Sequence, residues 1–185
     1  MHPQIERYTI EYERDAEGNK IPDRISGYKL TEQTIQARRK YRQVLTKGRE
    51  PMVDLPNHLR ADPRSPYLQP PKLKYGLAFT TEQLLDCAER YELPLEDLPI
   101  ERHSLHVCDA LCQINSLLSG ACKMILRISV PIDVDNEWMV ALYDNYNWWS
   151  ERLVPEEEEE VVTLIRRALK IDMPLKWYYD ASPSS

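Results

Sequence analysis

The sequence of 185 residues predicts one α+β domain, with a mixed or antiparallel sheet of three to five strands covered by about three helices. Three observations in the C-terminal half support this prediction. Residues 123–130 alternate between apolar and polar side chains, as in a strand with one buried face. Residues 138–144 are a nearly continuous apolar run, typical of a central strand. A helical pattern over 155–170 is followed by residues 175–179, which have the composition of a returning strand.

Residues 1–48 are predicted to form an N-terminal hairpin and a basic helix. Partial alternation over 5–13, a turn over 15–20 and a return over 21–30 indicate the hairpin. The helix then begins at Thr31, a good N-cap residue, and ends at a glycine that suits a helix terminus.

This helix carries a basic patch over 38–49, and its contact candidates are Arg38, Arg39, Lys40 and Arg42. Such a patch is typical of a contact with nucleic acid or an acidic protein, but also of a solvated face or one paired with the acidic half of the chain. Residues 1–75 contain 15 basic and 10 acidic side chains, whereas residues 76–185 contain 9 and 20. The acidic pI of about 5.3 favours the solvated or paired face, so nucleic acid is not the expected partner.

Residues 49–80 are predicted to form an extended, proline-rich arm. Six of them are proline, and apolar side chains are frequent between the prolines. A structureless loop of this length is uncommon inside a compact domain, and the apolar content argues against a disordered linker. We expect the arm to lie over the domain or over a second subunit, which makes it the predicted contact with a protein partner or in a homodimer.

The predicted α+β core spans 81–180, and a disordered tail follows at 181–185. A capping-box spacing of threonine and glutamine opens a helix over 81–92. A second helix is predicted over 102–119, ended by a glycine. The helix over 155–170 has proline at its first position, glutamates in its first turn and arginines near its end, which matches the helix dipole.

The helix over 102–119 contains the residues with the strongest metal-ligand chemistry, His103, His106, Cys108 and Cys112. At 100° per residue the histidines and the cysteines fall on different sides of a helix, so one ion does not reach all of them. We therefore expect neither a metal nor a cofactor. A Cys–His nucleophile pair involving His58 stays open, because such partners need only be close in space. Without a secretory signal, all the cysteines are expected as free, buried thiols.

An aromatic loop over 143–149 follows the predicted central strand. Its residues are the candidate ligand or interface site: Tyr143, Asp144, Asn145, Tyr146, Asn147, Trp148 and Trp149. Flat apolar rings combined with amide and carboxylate groups suit stacking on a sugar or ring. They equally suit a protein interface, or a set of core aromatics at the end of a strand.

The sequence lacks the glycine-rich motifs of nucleotide-binding enzymes and the Gly-x-Ser-x-Gly motif of hydrolases, which favours a protein without catalysis. It also lacks a long apolar run and an apolar leader, so a cytoplasmic or nuclear protein without membrane contact is expected. The leading expectation is a non-catalytic protein-interaction or regulatory module. The alternatives are a small-molecule-binding protein or enzyme with a pocket near 143–149, and nucleic-acid binding through 38–49.

The C-terminal end carries a resemblance. A helix with an acidic start and a basic end over 156–169 precedes the sequence Lys-Trp-Tyr-Tyr-Asp at 176–180. Over 122–180 at most, this pattern resembles small intracellular proteins of mushroom-forming fungi to which no activity is assigned. The resemblance implies a eukaryotic, intracellular origin and transfers no functional residue.

Overall fold

Within residues 8–62, 64 and 68–181, which the computed structural model describes, helices pack on one face of a four-stranded antiparallel sheet. The elements in chain order are β1 (Pro22–Asp23), β2 (Gly27–Tyr28), α1 (Glu32–Thr46), β3 (Leu73–Phe79), α2 (Thr81–Arg90), α3 (His103–Cys122), β4 (Arg127–Ser129), β5 (Trp138–Asp144), α4 (Trp148–Glu151), α5 (Pro155–Leu169) and β6 (Lys176–Tyr179). Short 3-10 turns lie at Asn57–Leu59 and Ile100–Arg102. The predicted α+β class is confirmed.

The strand order of the main sheet is β4-β5-β3-β6, and each pair of neighbours is antiparallel. The strands predicted over 138–144 and 175–179 are confirmed as β5 and β6. The strand predicted over 123–130 is shorter than expected, because α3 continues to Cys122 and its C-cap Lys123 has a left-handed φ of 52°. Helix α3 therefore continues through Gly120, where the sequence predicted its end.

The central strand β3 is a correction to the predicted arm over 49–80, because residues 73–79 form a strand. β3 pairs with β5 on one side and with β6 on the other, and its residues Leu73, Leu77 and Phe79 are fully buried. A strand covered on both faces does not alternate cleanly. Gly76 in its middle and the prolines before it gave the segment the composition of a loop, so the arm was predicted too long.

The part of the arm before β3, where the structure describes it, packs against the sheet and core of the same chain. Met52 pairs with Trp177 at the outer edge of β6, where the amide of each donates to the carbonyl of the other at 2.9 and 2.7 Å. Leu55 and Leu59 are buried in the core on the helical side of the sheet. Outside the described residues lie 1–7, 63, 65–67 and 182–185, which include parts of the predicted first strand, arm and tail.

The second face of the sheet has a small core of its own, formed by Ala78, Met139, Ala141 and Tyr178. The connection from β4 to β5 reaches the opposite edge of the sheet there, because Pro131 pairs with Asp180 and the amide of Ile132 donates to the carbonyl of Tyr179 at 2.8 Å. The two edges are thereby joined at one end. Burial, and then the carboxylate of Asp133, raise the pKa of Tyr178.

The N-terminal hairpin is smaller than predicted. β1 and β2 form a separate two-residue ladder inside the predicted return segment, and the predicted first strand contributes the pair Tyr12–Leu30. Helix α1 begins after Thr31 as predicted, where the Thr31 hydroxyl oxygen accepts a hydrogen bond from the amide of Thr34 at 3.3 Å. The capping box of α2 and the proline at the start of α5 are also confirmed.

Candidate functional site

The aromatic loop leaves β5 in a tight, hydrogen-bonded turn and enters α4. The Asp144 carboxylate accepts hydrogen bonds from the amides of Tyr146 at 2.9 Å and Asn147 at 3.1 Å. In return, the side-chain oxygen of Asn147 accepts from the amide of Asp144 at 2.7 Å. Short Asp and Asn side chains stabilise turns in this way. The loop is therefore held in one conformation by its own side chains.

Asn145 is a structural residue, because its side chain is completely buried. Its oxygen accepts from the amide of Leu73 at 2.9 Å, and its nitrogen donates to the carbonyls of Leu59 at 2.7 Å and Pro71 at 3.0 Å. The backbone of Asn145 adds a bond from the amide of Ala61 at 3.2 Å. This predicted site residue thus fastens the arm to the start of β3 and is inaccessible to a ligand.

Tyr143 belongs to a buried cluster of aromatic rings on the helical face of the sheet. Its ring stacks on Tyr75 at 5.0 Å and meets Trp177 edge-on at 5.7 Å between centroids. Its hydroxyl donates to Glu158 Oε2 at 3.2 Å. Burial, and then the Glu158 charge, raise the pKa of Tyr143. The hydroxyl therefore stays protonated at neutral pH and serves as a donor rather than as a base.

A cavity of about 150 Å³, here called the aromatic pocket, opens beside this cluster. Its rings and charged groups are Tyr75, Tyr143, Trp148, Trp177, Asp54, Arg60, Arg152 and Glu158. The Arg60 guanidinium carbon lies 5.0 Å from the ring centroid of Trp148, within the range of a cation–π contact. The sequence predicts two of the four rings, Tyr143 and Trp148, and the pairing of β3 with β6 adds Tyr75 and Trp177.

A second cavity of about 340 Å³, here called the rear cleft, lies on the other side of the aromatic loop. Its polar groups are Lys74, Arg127, Asp144, Asn147 and Glu151, and Met124 and Ile125 add apolar surface. Asp144 also pairs with Lys72 at 3.1 Å, and Lys74 pairs with the buried Asp180 at 2.8 Å. The cleft lies near 143–149, where a pocket was predicted. Lys74 and Arg127 line it because β3 and β4 pair with β5.

The outward side of the loop presents Tyr146 and Trp149, here called the aromatic platform. Trp149 is 63% exposed and Tyr146 is 36% exposed. The Trp149 indole donates to the carbonyl of Tyr146 at 3.2 Å, and the Tyr146 hydroxyl donates to the carbonyl of Pro70. These bonds fix the orientation of both rings while their faces remain accessible.

The basic helix α1 is paired with the connection between β4 and β5. Glu137 lies 3.2 Å from Arg42 and 3.9 Å from Arg38, and Asp135 lies 3.3 Å from Arg39. Arg42 also donates to the carbonyl of Val134 at 3.1 Å. Three of the basic-contact candidates thus make ion pairs within the chain, and the fourth, Lys40, is exposed. Nucleic-acid binding through this helix stays a prediction, and steep salt dependence of binding would test it.

Replacing Glu137 with alanine is expected to raise the hydrogen-exchange rates of the α1 amides about tenfold. The reason is that the buried residues of α1 are the two threonines Thr34 and Thr46, and that Glu137 makes charged contacts with both Arg38 and Arg42 of this helix. Asp135→Ala is the matched control, because its ion pair with Arg39 is exposed and such pairs contribute little. Equal exchange rates in the two variants would contradict this role of Glu137.

The cysteines, all of which lie within the described residues, are free thiols. Cys87 is buried and Cys122 is half-buried, and burial raises the pKa of both thiols. Cys108 and Cys112 are exposed, so the expectation that every thiol is buried was wrong. The two lie away from the buried positions of α3, which are Val107, Ala110, Ile114 and Leu118. Within the described ranges, no group of three or more His, Cys, Asp or Glu side chains is arranged to hold a metal ion.

No family model matches this chain, and no curated protein or solved structure matches it either. In the part of the chain that the structure describes, none of the helices has both the length and the apolar composition needed to cross a bilayer. The function is therefore inferred from the geometry of the aromatic loop and of the two cavities beside it.

Proposed function

We propose that this chain is a non-catalytic protein-interaction module of the cytosol or nucleus, and that the aromatic platform is its main contact surface. The observation that carries the proposal is the exposure of Trp149 on a loop whose conformation is fixed from within. Tryptophan and tyrosine dominate the binding energy of protein interfaces, and Trp149 and Tyr146 supply both.

The rigidity of the loop supports this proposal energetically. Ordering a side chain or a loop on binding costs free energy, and a contact that is already ordered avoids that cost. Asp144 and Asn147 order the turn, and buried Asn145 anchors it to the arm and to β3. Ile125 on the rim of the rear cleft is 82% exposed and adds apolar surface. A partner therefore meets rings that need no rearrangement before contact.

Replacing Trp149 with serine is expected to abolish binding of the partner while leaving stability unchanged. The tagged wild-type protein, the variant and a Leu105→Ser control are used to capture proteins from extracts of the cells that make the chain. Leu105 is exposed on α3, so its replacement removes an exposed apolar side chain outside the aromatic platform. A stoichiometric partner retained by wild type and control, lost by Trp149→Ser and rebound in purified form supports the proposal. The same partners in the same amounts for all three proteins would overturn it.

Native mass spectrometry of the purified chain then distinguishes a second copy from a different protein. A mass at 21.8 kDa indicates a heterologous partner. A doubled mass that Trp149→Ser removes indicates a homodimer through the aromatic platform. A doubled mass that persists in Trp149→Ser indicates a homodimer through the arm, which is the contact that the sequence analysis predicted for 49–80.

A second candidate function is binding of a small molecule in the rear cleft. Its volume of about 340 Å³ lies at the lower end of the range for ligand sites. Cationic and anionic groups line the same cleft, which suits a small zwitterion. An extra mass of a few hundred daltons on the protein isolated from its own cells, lost in Arg127→Gln, would support this function. Arg127 is exposed on the edge strand β4, so its replacement leaves the fold intact.

A further inference from the structure

The aromatic pocket combines packed rings with carboxylates. Tyr75 lies 5.0 Å from Tyr143 and 5.1 Å from Trp177 between ring centroids, so these rings pack against one another at the wall of the pocket. Trp148 from α4 also lines the pocket. The faces of aromatic rings are negative and attract cations, most strongly in the case of tryptophan.

The charges around the pocket also favour a cation once the Arg60 side chain moves away. Asp54 and Glu158 contribute negative charge, and Arg60 and Arg152 contribute positive charge. Burial, and then the Glu158 carboxylate, raise the pKa of Tyr75, whereas Arg152 lowers it. Arg60 belongs to the arm and places its own guanidinium over Trp148. The pocket is therefore already in contact with a cation, which the chain itself provides.

We propose that the aromatic pocket binds a methylated ammonium group, and that Arg60 is an internal competitor which the ligand displaces. Moving Arg60 away leaves two carboxylates against one guanidinium, so the local charge becomes negative. A volume of about 150 Å³ accommodates the end of a side chain or a small cation rather than a drug-sized molecule. This proposal does not depend on the proposed protein-contact function, because Trp149 lies outside the described lining of the aromatic pocket.

The chemistry of the pocket selects a methylated ammonium over a bare one. An unmodified lysine ammonium is compact and strongly hydrated, so it needs several acceptors to replace its water. The pocket offers aromatic rings instead, and Glu158 already accepts the hydrogen bond of Tyr143. Methyl groups weaken hydration and fill the space between rings, which is how aromatic cages recognise quaternary ammonium ligands.

The test is a titration of the full chain with tetramethylammonium and with choline, followed by the indole N–H signals in nuclear magnetic resonance. The control ligand is 3,3-dimethylbutan-1-ol, which has the shape of choline without its charge. We expect it to bind at least about tenfold more weakly. Equal binding of choline and this neutral analogue, or no binding of either cation at millimolar concentration, would overturn the proposal.

Two variants separate the role of Arg60 from that of the rings. Arg60→Gln is expected to tighten tetramethylammonium binding about tenfold, because the internal competitor is lost. Trp148→Leu is expected to remove binding, whereas Trp149→Leu leaves it unchanged. Unaltered or weaker binding in Arg60→Gln would contradict the proposal, even in the event that Trp148→Leu fails to fold.

The source of the methylated group is distinguished by two further ligands. A short peptide with trimethyl-lysine that binds more tightly than choline indicates a modified protein side chain. Tighter binding of choline indicates a free small molecule. Either ranking supports a methylated ammonium site, provided that Arg60→Gln tightens the preferred ligand. A peptide with unmodified lysine that binds as tightly as its trimethylated form would overturn the selectivity of the pocket for a methylated ammonium group.

Discussion

Alanine at position 76 is expected to lower the free energy of unfolding by about 4 kcal/mol or more, a large part of the total stability of a domain. Gly76 lies where the register of β3 on β5 shifts, between Tyr75 and Gly76. A Cβ atom there would overlap the carbonyl oxygen of Val140 and lie 2.9 Å from its carbon and 3.0 Å from the Cα of Ala141. Those are backbone atoms of the central strand pair, so no side-chain rotation relieves the clash.

Gly120→Ala is the matched control and is expected to act in the opposite direction. Gly120 is exposed inside α3, and nothing lies within 4 Å of the position that its Cβ would take. Alanine is favoured over glycine in a helix, so a gain of about 0.5–1 kcal/mol is expected. Urea unfolding followed by tryptophan fluorescence measures both changes. A Gly76→Ala protein within about 0.5 kcal/mol of wild type would show that the two strands separate easily.

Asn145→Asp is expected to cost about 4 kcal/mol at pH 7, the typical penalty for leaving a buried charge uncompensated. The replacement keeps the shape of the side chain and the acceptor for the Leu73 amide. It removes the donor to the carbonyls of Leu59 and Pro71 and places a negative oxygen against them. The arm and the start of β3 are expected to loosen first, which faster hydrogen exchange at the amides of Ala61 and Leu73 would reveal.

The penalty of Asn145→Asp is expected to fall at lower pH. Burial and the facing carbonyls favour the neutral acid, so the folded variant holds its proton to a higher pH than the unfolded chain, whose carboxyl has a pKa of about 3.9. Relative to wild type, the variant therefore loses stability as the pH rises above about 4. Asn147→Asp, in a half-buried position of the same loop, is expected to cost less than about 1 kcal/mol. A difference between Asn145→Asp and wild type that is the same at pH 4.5 and pH 7 would refute the argument.

The sequence predicted those elements whose caps, charges and apolar spacing match the surroundings that they have in the folded protein. Helix α5 has a proline start, a charge gradient and one apolar stripe, and it lies where these place it. Strand β3 was missed because its signal is tertiary. It becomes a strand by pairing with β5 and β6, which are 59 or more positions away in the chain, and Gly76 is required by that pairing rather than by a turn.

The candidate site was predicted as a location but not as an arrangement. The aromatic loop lies between two cavities, yet Asn145 is buried beneath it and Tyr143 belongs to the core. Composition does not reveal which amide of an Asp-Asn-Tyr-Asn turn points inward. Tyr75 and Trp177 are brought to the loop by the strand order, and Arg60 is brought there by the arm.

The backbone pairing of Met52 with Trp177 has a consequence for how this chain meets other chains. An uncovered sheet edge presents unpaired amides and carbonyls that recruit further strands, and this is a common route to aggregation. At Trp177 the outer edge of β6 is already hydrogen-bonded to the arm. A partner at this edge would have to displace the arm before adding a strand. At this edge, recognition by side chains is therefore favoured over strand addition, and variants that release the arm are expected to aggregate.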